Sequence, residues 1–238
     1  MNKQSPNISD FFLDIFFPKF CFNCKKEGIY LCQDCEGLIG VLEYSFCLCQ
    51  KPERLNKPGK CKKCNFKKLD GLYFALPYQN NLAKQLIHYL KYDPFAKELS
   101  KTLSSLIINH LQLIEKKKED FIDFLVIPIP LAEKRLKWRN FNQSKEIGKN
   151  IAEFLEIPLI DGSLIKIKNT KAQIELSEKE REENIKGSFV VKDKEKINGR
   201  KILLIDDVYT TGSTLEETAK ILKESGAKEV WGMVVARG

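Results

Sequence analysis

The sequence predicts an α/β protein, a mostly parallel sheet flanked by helices, preceded by a small cysteine-rich module. Three observations predict it. From about residue 120, apolar runs of strand length alternate with segments of helical period, the order that builds parallel sheets. One run, Lys201–Asp206, holds the aliphatic residues Ile202–Ile205 and reads as a central, buried strand. All eight cysteines fall between Cys21 and Cys64, mostly as C-x-x-C pairs. In a reducing compartment such pairs bind metal more often than they form disulfides.

Taken in order, residues 9–17 read as a short Phe-rich amphipathic helix ended by Pro18, and the cysteine region extends to Lys68. The domain boundary is therefore expected between residues 1–68 and 69–238. Asp70–Tyr78 reads as a strand and Asn81–Tyr92 as a helix, and Asp93-Pro94 opens a longer helix running to the lysines at 116–118. Asp123–Pro130 is a strand ended by prolines. Asn142–Ile157 carries a helical stripe through Ile147, Ile151, Phe154 and Leu155. Leu164–Lys168 alternates like a strand, Ser177 and Glu180 form a capping-box signature for a charged helix, and Gly187–Val191 is a short strand. After the central strand, Ser213–Ser225 reads as a helix stopped by Gly226, and Glu229–Ala236 as the last strand. The chain has no internal repeats and no low-complexity tract.

At 238 residues the chain can bury one good core and still carry a small module. The apolar run Phe11–Phe17 contains Asp14, is too short to cross a bilayer, and lacks a cationic leader and a small-residue cleavage site. A cytoplasmic protein is expected. The formal net charge of +8 is unevenly spread. Between Tyr44 and Lys68 stand Lys51, Arg54, Lys57, Lys60, Lys62, Lys63, Lys67 and Lys68 against the single acid Glu53. A solvated lysine face and a nucleic-acid surface both fit that run.

The chemistry concentrates in "ILLIDDVYTTGST", Ile202 to Thr214. The strand delivers two carboxylates to its carboxyl end, where open α/β sheets bind ligands. The hydroxyl run then enters a helix, with Ser213 and Glu216 spaced as a capping box. A helix start presents unpaired N–H groups and partial positive charge, which suit a phosphate. Gly212 permits close backbone approach, and Thr210, Thr211, Ser213 and Thr214 add hydroxyl donors. Asp206 and Asp207 would repel a bare phosphate, so they call for another part of the same ligand: sugar hydroxyls or a divalent cation. A sugar 5′-phosphate satisfies both halves. Neither G-x-x-x-x-G-K-[ST] nor G-x-G-x-x-G occurs, which sets aside the common NTPase and dinucleotide sites.

The cysteines form four knuckles: Cys21/Cys24, Cys32/Cys35, Cys47/Cys49 and Cys61/Cys64. Zinc takes four tetrahedral ligands, and knuckles supply them two at a time. In-order pairing makes two four-cysteine sites, and interleaved pairing of first with third and second with fourth is the alternative. With no open ligand position implied, the expected role is structural.

"ILLIDDVYTTGST" closely resembles the phosphoribosyl-pyrophosphate (PRPP) motif of type I phosphoribosyltransferases, which implies that fold for the α/β domain. The resemblance implies that Asp206 and Asp207 contact ribose hydroxyls, and that Thr210, Thr211, Gly212, Ser213 and Thr214 cradle the 5′-phosphate. It further implies that Mg²⁺ bridges ribose and pyrophosphate oxygens. Such folds pass through an oxocarbenium-like sugar as pyrophosphate leaves, so the protein supplies positioning and charge stabilisation. A pyrophosphate then needs cations. The basic loop in Pro128–Ser144 offers Lys134, Arg135, Lys137 and Arg139, arginine's planar fork suiting phosphate oxygens. Thr170–Phe189 would form a mobile cover, or else a charged surface helix.

Cysteine knuckles ahead of such a domain resemble the ComF/ComFC competence family over nearly the whole chain. "FPKFCFNC", "LCQDC", "LKYD", "PIPL", "RNFNQ" and "DDVYTTGST" carry the resemblance, with Gln173, Leu176, Arg181, Asn184, Gly187 and Phe189. Two features depart from it: Asn140 where the family usually has glycine, and the C-x-C spacing of Cys47 and Cys49. The resemblance implies a part in natural transformation, with PRPP and single-stranded DNA as ligands, at the cytoplasmic side of the inner membrane. The DNA-uptake machinery would be a partner, without membrane integration. Lys51, Arg54, Lys57, Lys60, Lys62 and Lys63 would then track the DNA backbone. Tyr44, Phe46 and Phe66 would stack bases or pack around the zinc core. The competing readings are a phosphoribosyltransferase acting on a nucleobase or other nitrogen acceptor, and a PRPP sensor without turnover. His88 and His110 are expected to be surface or packing residues.

Overall fold

The computed structural model describes residues 18–93, 96–168 and 178–238. The helix expected over 9–17, and Gln173 and Leu176 of the expected cover, lie outside them. Contacts divide the chain into two compact units, Met1–Gly40 and Val41–Gly238. The boundary expected from composition, at 68/69, falls inside the second of these, so the second pair of knuckles shares a unit with the sheet.

In the smaller unit Phe20 bridges to Glu27 across a tight turn. The turn is closed by Cys21 N–H donating to Lys26 O (2.8 Å) and Lys25 N–H to Cys21 O (2.9 Å). Cys32 then caps the short helix α1 (Gln33–Leu38), which buries Cys35.

The larger unit opens with an antiparallel pair, β1 (Ser45–Phe46) and β2 (Arg54–Leu55), and a 3₁₀ turn over Lys62–Cys64. Next come β3 (Gly71–Pro77), α2 (Asn81–Tyr92), α3 (Leu99–Leu113), β4 (Phe124–Pro128), α4 (Glu133–Arg139) and α5 (Gln143–Leu155). β5 (Leu164–Lys166), α6 (Glu178–Ile185), β6 (Phe189–Val191) and α7 (Lys194–Ile197) lead to β7 (Lys201–Tyr209), α8 (Ser213–Glu224) and β8 (Glu229–Arg237). The main sheet has the order β3-β8-β7-β4, and every neighbouring pair is parallel. Ile202–Ile205 of β7 are wholly buried, as a central parallel strand covered on both faces requires. β5 and β6 instead form a separate antiparallel pair. Their three-residue lengths and partly exposed side chains suit a small flap better than a doubly covered sheet.

Register sets where ligands can enter. β4 pairs with β7 as far as Pro128 opposite Ile205, whereas β7 continues beside β8 to Tyr209 opposite Arg237. Asp206 and Asp207 therefore stand past the last paired residue of β4, where the sheet edge opens a crevice.

Two local readings are corrected. The basic segment read as a loop is the helix α4, whose Glu133 and Lys137 pair at 2.7 Å one turn apart. Its charged residues carry no apolar stripe, which hid it. Asn140 closes this helix in the left-handed region (φ 63°), its N–H donating to Leu136 O at 2.9 Å. Asparagine is the side chain that best tolerates the conformation glycine usually supplies. The capping box at Ser213 and Glu216 does not form: Gly212 is the cap of α8, without a side-chain bond, and Glu216 accepts the Lys68 N–H at 2.7 Å. His110 is buried and sits with Nδ1 2.6 Å from Leu42 O, a packing residue as expected. Among the described residues no helix is long and apolar enough to cross a membrane.

Candidate functional site

β7 carries the acid pair to the rim of a cavity of about 350 Å³. Asp206 is held by Ser144 of α5, whose Oγ donates to Oδ1 at 3.0 Å, and by the Asp207 N–H at 2.9 Å. Asp207 is almost fully buried and forms an ion pair at 2.7 Å with Lys91, at the end of α2. Burial, and then the neighbouring charge of Asp207, push the Asp206 carboxyl up to about 7. Burial alone would lower the Lys91 ammonium, but Asp207 outweighs it and holds Lys91 above its ordinary value.

The same cavity is lined by Arg135 and Arg139 of α4 and Lys166 of β5. Burial, and then repulsion by Arg135, bring Lys166 down to about 8. Arg139 is 8% exposed and donates from one terminal nitrogen to Gln143 Oε1 at 2.6 Å, while its Nε has no hydrogen-bond partner among the described residues. Two carboxylates thus share one cavity with four cations, Lys91, Arg135, Arg139 and Lys166. Such a surplus accommodates a strongly anionic ligand.

The hydroxyl loop borders this cavity through Thr214. Thr211 Oγ1 lies 2.7 Å from Ser213 Oγ. Gly212 has φ 83°, and a β-carbon there would come within 2.3 Å of the Tyr209 ring, so both backbone and space require glycine. The loop leads straight into the twelve-residue α8, whose first N–H groups have no intrahelical partner.

Of the basic residues singled out beside the sheet, Arg135 and Arg139 line the cavity. Lys134 and Lys137 are exposed outside it, Lys137 paired to Glu133. Lys91, Ser144 and Lys166 were not singled out for a role. Lys91 lies in "LKYD", and its signal in the sequence is a lysine closing an otherwise apolar helix face. Ser144 and Lys166 carry no local signal, since their role arises only from what the fold sets beside them.

The eight cysteines gather as two sets, Cys21, Cys24, Cys32 and Cys35, and Cys47, Cys49, Cys61 and Cys64, each with its sulfurs within 4.8 Å of one another. The pairing is in order, and the C-x-C knuckle supplies both its sulfurs. Tetrahedral zinc with bonds near 2.3 Å sets sulfurs about 3.8 Å apart. Here Cys24 and Cys32 lie at 3.5 Å, Cys21 and Cys32 at 3.9 Å, Cys49 and Cys61 at 3.5 Å, and Cys61 and Cys64 at 3.6 Å. Backbone N–H groups of Cys32, Glu53 and Cys61 point at Cys21, Cys47 and Cys64 sulfurs. Burial would raise the Cys21 thiol, but N–H donors from Cys32, Cys24 and Asn23 outweigh it and bring it to about 6. Both clusters could hold zinc.

On the second module Lys51, Lys57 and Lys62 are exposed, Arg54 lies over the Tyr44 ring, and Phe66 is 78% exposed. Phe46 instead packs on Phe74, ring centroids 5.6 Å apart. Lys60 turns inward, donating to Lys67 O at 3.1 Å, and Lys63 pairs with Glu53 at 2.5 Å.

Residues 142–238 match the phosphoribosyl transferase domain family. With the parallel sheet and its helices, the α/β part has a phosphoribosyltransferase-like fold. Competence protein F of Haemophilus influenzae is 37% identical over 114 residues, 47% of this chain and 50% of that protein. DNA utilization protein YhgH of Escherichia coli K12 is 29% identical over 150 residues, 61% of this chain and 64% of that protein. The chain thus spans about half to two thirds of these two relatives. Competence protein ComFC of Streptococcus pneumoniae is 30% identical over 210 residues, 87% of each chain.

Proposed function

This chain belongs to the ComF/ComFC family of competence proteins, and on that premise we propose that it serves the handling of incoming DNA, binding PRPP with Mg²⁺ in the acid-pair cavity and single-stranded DNA on the second cysteine module. The observation that carries the reading is the cavity itself, lined by two carboxylates and four cations and reached by the hydroxyl loop through Thr214, while Thr211 and Ser213 line a second cavity with Lys67 and Glu216. PRPP presents ring hydroxyls, a pyrophosphate and a 5′-phosphate, which need those three features in turn. Zinc in both cysteine clusters would be structural, and the protein would act in the cytoplasm, docking peripherally on the inner-membrane uptake machinery.

In this reading Asp206 and Asp207 accept the ribose hydroxyls, with Ser144 holding Asp206 in place. Asp206 and Asp207 would supply hard oxygen ligands for Mg²⁺, which when bound would offset negative charge in the cavity. Arg135, Arg139 and Lys166 meet the pyrophosphate, and Arg139 Nε, which has no partner among the described residues, gains a phosphate oxygen. The loop N–H groups and hydroxyls of Thr210–Thr214 take the 5′-phosphate. Lys51, Lys57 and Lys62 meet DNA phosphates, while Arg54 on Tyr44 and the exposed Phe66 provide stacking surfaces.

Calorimetric titration with PRPP and Mg²⁺, with and without a single-stranded oligonucleotide, tests both halves. Replacing Asp206 and Asp207 together by asparagine is expected to weaken PRPP at least about 100-fold with the fold intact, at roughly 1.4 kcal/mol per tenfold. Unchanged binding would sink the site. Lys51→Gln, Lys57→Gln and Lys62→Gln together should weaken the oligonucleotide and lower its log–log salt slope by about 2. An unaltered slope would remove DNA from this face. Pyrophosphate release on adding a nucleobase would favour the transferase reading.

A further inference from the structure

Arg237, the last residue of β8, is 4% exposed and makes bonds that neither the PRPP reading nor zinc ligation uses. One terminal nitrogen donates to Cys47 O at 2.6 Å and the other to Cys49 O. Its guanidinium thus holds the backbone of the C-x-C knuckle across some 190 residues of sequence. The same guanidinium carbon lies 5.3 Å from the centroid of the Tyr209 ring, and Gly238 N–H donates to Tyr209 O at 2.9 Å. Tyr209 is 3% exposed and packs directly on Gly212, the residue that turns the hydroxyl loop into α8.

A second strut leaves the same cluster. Three residues past Cys64, Lys67 donates to the Tyr209 hydroxyl at 3.3 Å, and the following Lys68 N–H is bonded to Glu216 in the first turn of α8. The Tyr209 ring, at the end of β7, is therefore contacted on its face by Arg237 and at its hydroxyl by Lys67. Each contacting residue is tied, by hydrogen bond or by chain continuity, to a knuckle of the second cluster.

We infer that Arg237 is a positioning residue that, with Lys67 and Tyr209, joins the second cysteine cluster to the hydroxyl loop, so that metal held by Cys47, Cys49, Cys61 and Cys64 and phosphate held by the loop stabilise one another. This rests on the reading of Thr210–Thr214 as the 5′-phosphate site. Linkage makes the coupling reciprocal: if metal in the cluster tightens PRPP, PRPP tightens metal by the same free energy. A residue that merely supported the fold would have no reason to make metal release depend on PRPP.

The test uses the zinc-loaded full chain. Zinc release to a chromogenic chelator is followed with and without saturating PRPP and Mg²⁺, alongside the PRPP Kd by calorimetry. At equilibrium with the chelator, one of the two zinc ions is expected to be held about 5- to 10-fold more tightly with PRPP present, within the usual range of coupling. Arg237→Met should abolish that protection and weaken PRPP about tenfold. Lys67→Met, at a half-buried site where misfolding is a smaller hazard, should reduce protection and weaken PRPP about threefold. If PRPP binds normally but neither ion is protected, the coupling is wrong while the PRPP site stands. The same holds if protection survives in both variants. If PRPP does not bind at all, the site reading fails and this inference with it.

Discussion

The two cysteine clusters use the same four ligands and similar sulfur spacings, yet they are built into the protein differently. The first lies in the smaller unit, beside the six-residue α1, and Cys24 is exposed. The second contributes Cys47, Leu48 and Cys64 to the same continuous apolar core as Leu72 of β3, Leu204 of β7 and Leu215 of α8. A module that looks like an appendage by composition is thus, in its second half, a wall of the α/β unit. Ligand chemistry says that metal can be held, and only the surrounding packing says what the metal supports.

The largest expected effect tests that contrast directly. Cys35→Ser and Cys64→Ser should each release one zinc equivalent, measured by metal analysis. Cys64→Ser should also lower the melting temperature of the sheet unit by more than about 10 °C, because losing the metal frees a segment of its core. Cys35→Ser should leave that transition nearly in place. Equal shifts in the two variants would break the comparison.

A smaller effect sharpens it without touching a ligand. Leu31 and Leu48 are both almost fully buried, one in each unit. Leu48→Ala should destabilise the sheet unit by about 3 kcal/mol, the usual cost of a leucine-sized cavity. Leu31→Ala should leave the sheet transition unmoved, as read by calorimetry.

The smallest effect is a pH dependence confined to the larger unit. Asp206 is pushed up to about 7 by burial and then by Asp207, so between its ordinary range near 4 and about 7 the folded state keeps a proton that the unfolded chain has released. Raising pH through that window should therefore remove stability from the ligand-free unit. PRPP with Mg²⁺ favours the ionised acid, so its affinity should rise with pH, by up to about tenfold per unit, and level off above 7. Asp206→Asn should flatten the part of the profile owed to this proton, with first-cluster substitutions leaving it unchanged. A profile identical in Asp206→Asn would assign the proton elsewhere.

How much was legible follows from how local each signal is. The α/β order, the buried β7 and the acid pair were readable because apolar period and adjacent charge are properties of neighbouring residues. The helix α4 was not, since its helicity rests on charged residues and an asparagine cap rather than on an apolar stripe. The pairing Ser213 with Glu216 looked like a cap in sequence. In the fold Gly212 takes the cap position, and Glu216 meets the Lys68 N–H from a segment 148 residues away.

By itself, then, the sequence determined the kinds of chemistry present: thiol pairs at metal spacing, an acid pair at a strand end, a glycine in a hydroxyl loop. Short spacings settle these because neighbours cannot avoid one another. Tertiary structure alone decided the company each group keeps. It set Lys91, Ser144 and Lys166 around the acids, sorted eight cysteines into two in-order sets, and laid Arg237 on the carbonyls of Cys47 and Cys49. Those contacts join residues tens to hundreds of positions apart, and their geometry exists only once the core has packed.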